Sequence, residues 1–71
     1  MTNSEKLKQL RDTYKAGVRV RLIHMYDEPQ MAKGLEGTVE DVDDIGQIHV
    51  KWDSGSRLAL IVGADLFEII K

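Results

Sequence analysis

Residues 34–60 read GLEGTVEDVDDIGQIHVKWDSGSRLAL and hold three strand-like runs between glycine-marked turns. Val39 and Val42 mark the first run, Ile48, Val50 and Trp52 alternate with polar neighbours in the second, and Leu58 and Leu60 lie in the third. Alternation of this kind puts every second side chain on one face of a pleated strand, so each run has an inward and an outward side. Gly46 and Gly55 fall at the two reversals, where a short turn demands backbone angles that side chains resist. The stretch is an antiparallel meander, and the remainder of the chain has to close around it.

Working outward towards the N-terminus, Val18, Val20 and Leu22 alternate with Arg19, Arg21 and Ile23, which predicts a further strand. Ahead of it, Leu7, Leu10 and Tyr14 recur at helical spacing, and Thr2 with Glu5 has the spacing of a capping box. A short helix over residues 1–15 is expected, ended by Gly17. So short a helix is marginal alone in water and needs a partner for its apolar stripe. The partner expected is its own sheet, giving a monomer; pairing of Leu7, Leu10 and Tyr14 with a second subunit is the alternative. Between the first strand and the meander, HMYDEPQMAKG has no clear period and reads as a long loop, a kind of segment that often carries function. Towards the C-terminus, VGAD reads as a tight turn, and LFEII supplies a fifth strand with Phe67 and Ile69 on one side.

Five short strands with a long first loop, two tight reversals and a turn before the last strand give the order of a small SH3-like barrel. The expected fold is therefore mostly β, a single domain over residues 1–71, with the helix at 1–15 and the barrel at 16–71. A flat meander with the helix on one face would show the same pattern. The 71 residues include no cysteine and two histidines, so neither disulfides nor a thiolate zinc site can supplement a small core. The N-terminal residues lack the apolar core of a signal peptide, and no run approaches the roughly 18 apolar residues of a membrane span. A cytoplasmic protein with no membrane association is expected.

The net charge of −2 hides an uneven distribution. Residues 1–26 carry six basic and two acidic side chains, whereas residues 27–44 carry seven acidic side chains against Lys33 alone. The chain is a dipole and not a polycation, which does not favour general attraction to nucleic acid.

The segments RVRLIHM, GLEGTV, VDDIGQIHVKWDSGS, LAL and FEII resemble a family of very short proteins from Gram-positive bacteria, their phages and mobile elements, catalogued as a domain of unknown function. The resemblance covers roughly residues 15–70 and implies an accessory protein whose partner is a host factor. A looser likeness links Gly34, Gly37 and Val39, ahead of IHVKW, to the KOW motif of ribosomal and transcription factors. That likeness implies contact with RNA or with the transcription machinery.

Candidate chemistry is sparse. His24 and His49 are the side chains that normally titrate near neutrality, yet neither belongs to a recognisable catalytic constellation, and no strand-to-helix elbow presents a nucleophile. No enzyme activity and no cofactor are expected. Asp41, Asp43 and Asp44 match no cation loop and are explained by turn chemistry, with Gly46 taking a positive φ, so no metal is expected. Gly34, Gly37, Gly55 and Gly63 read as turns and bulges. Trp52 shares parity with Ile48 and Val50, which argues for a core residue over a ligand platform.

Two interaction surfaces remain. The first is the loop region with His24, Met25, Tyr26, Met31 and Leu35, whose methionine and aromatic content suits recognition of a protein partner. One or two of these apolar groups must also cap the barrel mouth. The second is the outward face bearing Arg19, Arg21, His49 and Lys51, with Arg57 nearby, the alternative site for nucleic acid. Glu40, Asp41 and Glu68 on neighbouring strands are placed to neutralise it. Protein binding is the preferred expectation.

Overall fold

The computed structural model describes residues 4–25 and 31–70. Helix α1 spans Ser4–Thr13, and five strands follow: β1 Arg19–His24, β2 Glu36–Val42, β3 Gln47–Trp52, β4 Leu60–Ile61 and β5 Leu66–Ile70. The capping-box threonine, Thr2, lies outside the described residues, as do Tyr26 and Pro29 of the expected long loop.

All five strands join one sheet in the order β4-β3-β2-β1-β5, antiparallel throughout. The sheet does not close, and β4 and β5 are its edges. One cause is the shortness of β4. The Trp52 N–H donates to the Ser56 carbonyl at 3.1 Å, and the Trp52 indole N–H donates to the Leu58 carbonyl at 2.8 Å. The chain before Leu60 is thereby held in a loop, where the alternation of Leu58 and Leu60 predicts a longer strand. Between β4 and β5 there is a single isolated bridge, Val62 to Asp65.

The inward face carries Val20, Leu22, Val39, Val42, Ile48, Val50, Trp52 and Leu60, all buried, joined by Met25 and Met31 from the ends of the long loop. Trp52 is a core residue, as its parity requires. Strict alternation would turn Val42 outward. A bulge between Val39 and Asp41 shifts the register so that both valines face in.

Gly37 is not a turn residue but lies buried inside β2, opposite Trp52. A Cβ there would come within 2.6 Å of Val50 Cγ1 and 2.9 Å of the Lys51 carbonyl oxygen, so the core has closed onto a bare backbone.

Helix α1 docks on its own chain. Leu7, Leu10 and Tyr14 are partly buried against the core, and the Tyr14 and Phe67 rings lie tilted at 59° with centroids 5.5 Å apart. Arg11 ties the helix to the end of β2: its Nε donates to the Val42 carbonyl at 3.3 Å, and its guanidinium reaches Asp44 at 2.8 Å. Among the described residues no helix is long and apolar enough to cross a membrane.

Candidate functional site

The cross-strand register puts four of the five basic candidates on the outward face. Arg19 lies opposite Thr38 and Ile70, Arg21 opposite Glu36 and Glu68, Lys51 opposite Thr38, and His49 opposite Asp41. Strand parity thus collects these cations on one face. What it does not show is how thoroughly carboxylates occupy them.

Arg19 makes a two-pronged contact with Asp53 at 2.9 and 2.7 Å, donates to the Thr38 hydroxyl at 3.0 Å, and reaches Glu36 at 3.4 Å. The Asp53 hydrogen bonds raise the Arg19 pKa above its ordinary value, and the same contact lowers that of Asp53. Arg21 bridges Glu68 at 3.2 Å and Glu36 at 3.5 Å, while Arg57 meets Glu40 at 3.2 Å. These pairs are exposed and screened by solvent, so each adds little stability. Their consequence is electrostatic: the arginines are presented already neutralised. Lys51 alone of the five has no ion pair among the described residues.

His49 pairs through Nε2 with Asp43 Oδ2 at 2.9 Å, and not with Asp41, its cross-strand neighbour. The other Asp43 oxygen accepts from the N–H groups of Ile45 and Gln47 at 3.1 and 2.9 Å, and Gly46 adopts a φ of 87°. The hydrogen bond from His49, followed by those from Gln47 and Ile45, lowers the Asp43 pKa. The aspartate therefore holds the β2–β3 turn, as turn chemistry predicts. Among the described residues, no group of three or more histidine, aspartate or glutamate side chains comes together to hold a metal ion.

The loop candidates part company. Met25 and Met31 are only 5% and 6% exposed and belong to the core, so they offer little surface to a partner. Leu35 is partly buried against that core, and its carbonyl accepts from the Leu22 N–H at 2.7 Å. His24 is exposed at the bulged end of β1, opposite Leu66 of β5. Tyr26 lies outside the described residues.

Beside His24 runs an apolar rim that the sequence did not reveal. Ile61, Val62, Gly63, Ala64 and Leu66 are exposed, Leu66 at 59%, as is Ile23 on β1, whereas the exposed Ile69 lies opposite Val20, on the other face of β5. The one charged residue within 61–66, Asp65, is turned inward and is 6% exposed. Around the helix side, an open cleft of about 670 Å³ lies between α1, the β2–β3 turn and the end of β4. Its walls include Leu7 and Leu10 on one side and Ile61 and Val62 on another, with Ile45 standing at 79% exposure on the turn. Runs such as LALIVG look uniformly apolar, so no periodic signal separates Leu60, which is buried, from Ile61 and Val62, which are not.

One family model, described as a domain of unknown function, matches residues 3–70, a span that takes in α1 and all five strands. Comparison with curated proteins and with solved structures gives no significant match.

Proposed function

The chain belongs to the DUF4314 family, a domain of unknown function, and from that premise we propose that it is a non-catalytic interaction module that binds a protein partner. The observation carrying this reading is the uncharged rim from Ile61 to Leu66, with Ile23 exposed beside His24, the residue opposite Leu66. A contiguous exposed apolar rim is a common mark of protein association. Internal hydrogen bonds already hold its turn, so binding costs it little conformational freedom. His24, exposed at the end of β1 opposite Leu66, borders the same surface.

The strand order supports an SH3-like roll as the scaffold, because β5 returns to pair with β1 beside the β1–β4 meander. A cytoplasmic phage or mobile-element accessory protein acting on a host factor fits the family likeness of its motifs. The KOW-like alternative, contact with nucleic acid through the outward sheet face, draws on Lys51, the one cation there that meets no carboxylate among the described residues.

Capture from a lysate of the source organism on the immobilised chain, with and without nuclease, tests the choice. A protein that survives nuclease and is lost from a Leu66→Lys variant with an unchanged melting temperature supports the reading. Release of every captured protein by nuclease overturns it.

A further inference from the structure

A second surface, apart from Leu66 of the rim, lies at the cleft between α1, the β2–β3 turn and β4. We propose that its occupant is a second copy of this chain, in a two-fold dimer in which Ile45 of each copy enters the cleft of the other. The cleft shares Ile61 and Val62 with the rim, but the dimer is carried by Ile45 and the α1 side of the cleft and not by the protein-partner reading.

A knob stands beside a hole. The turn chemistry demands Asp43 and Gly46 but makes no demand for isoleucine at 45, yet Ile45 stands 79% exposed at the lip of the cleft. Asp43 holds the turn from within, and the Arg11–Asp44 bridge holds it to α1, so Ile45 is presented on a fixed support. The hole has apolar walls, Leu7 and Leu10 from α1 with Ile61 and Val62 from β4 and the residue after it. A knob complementary to a pocket far away on the same molecule would build an open filament. A knob and hole sharing one rim allow reciprocal insertion, which closes as a two-fold pair.

Charge favours the same pairing. Lys6 lies on the helix side of the cleft and Asp44 on the turn side. Lys6 has no ion pair among the described residues, and the Arg11 bridge to Asp44 uses Oδ1. Two-fold apposition sets Lys6 of each copy towards Asp44 of the other, so the surface is complementary to itself. A chain of 71 residues also gains from association, because its own core is small.

Sedimentation equilibrium on the full chain, with thermal melts to show that each variant is folded, tests the proposal. Wild type is expected to dimerise, and Ile45→Glu, which lies outside the core and appears twice in the interface, should weaken the dimer about tenfold or more. Lys6→Glu and Asp44→Lys should each weaken it as well, since each homodimer then sets like charges against one another. An equal mixture of those two variants should recover association, because the mixed dimer restores opposite charges at both contacts. A wild type still monomeric at about 1 mM overturns the proposal. So does a dimer unaffected by Ile45→Glu, or a mixture that associates no better than its components.

Discussion

The carboxylate of Asp65 accepts a hydrogen bond from the Ile61 N–H at 2.9 Å, while the Asp65 N–H donates to the Ile61 carbonyl at 2.9 Å. Asp65 therefore serves both backbone groups of Ile61, where an edge strand would otherwise offer them to another chain. The turn from Ile61 to Leu66 is closed by this pair, and its apolar side chains are displayed on a fixed frame.

Asp65→Ala should remove the acceptor and leave the Ile61 N–H without it, at a cost of about 1–3 kcal/mol. Urea unfolding measures the loss, and native-state hydrogen exchange should show the Ile61 amide opening faster than those of β3. An unchanged midpoint together with an unchanged Ile61 exchange rate would count against the role given to Asp65.

Gly37→Ala should destabilise the protein although Gly37 has no positive φ. Reducing the freedom of the unfolded chain would by itself contribute about 0.4–1 kcal/mol in favour of folding. The new Cβ would meet Val50 at 2.6 Å and the Lys51 carbonyl at 2.9 Å, and forcing strands apart in a packed core costs about 1–3 kcal/mol. The clash is the larger effect. A lower unfolding midpoint with altered Trp52 fluorescence is expected, and a stabilised variant would contradict the closeness of β2 to β3.

Much of this architecture is legible in the sequence because alternation and turn glycines act locally. Val20 with Leu22, and Ile48 with Val50 and Trp52, go inward as their parity requires, and Leu7, Leu10 and Tyr14 pack on the chain's own core. What local pattern could not show depends on register and on neighbours distant in sequence. Gly37 resembles a turn glycine until Trp52 lies opposite it, and the bulge after Val39 is what brings Val42 inward. Met25 and Met31 fit either a recognition loop or a cap on the core, and nothing nearby in sequence chooses between the two; the fold places both in the core. The acids facing the sheet were partly legible: Glu68 and Glu40 do meet Arg21 and Arg57, but Glu36 and Asp53 take the largest share of Arg19. Asp53 comes from beyond the end of β3, a neighbour that strand parity does not supply.

Acid should destabilise the fold in a definite window. Asp43 and Asp53 both have folded pKa values below the ordinary carboxylate value of about 3.9, the first chiefly through His49 and the second through Arg19. A depressed carboxylate stabilises the fold fully above its unfolded pKa and loses that contribution as pH falls through the folded value. Melting temperatures should therefore decline below about pH 4. An Asp43→Asn, Asp53→Asn double variant should melt lower than wild type at pH 6 and show a shallower decline in acid. A decline of equal steepness in the two proteins would refute the assignment.

Fluorescence anisotropy with random DNA and RNA at two salt concentrations tests most directly whether the sheet arginines are neutralised within the molecule. If Arg19, Arg21 and Arg57 remain engaged by Asp53, Glu36, Glu68 and Glu40, few phosphates can be neutralised and few counterions released. The account predicts no binding tighter than about 10⁻⁴ M at physiological salt and little gain at low salt. Micromolar binding that strengthens steeply as salt falls, and that disappears in an Arg19→Glu, Lys51→Glu variant, would contradict it and make the outward sheet face a nucleic-acid surface.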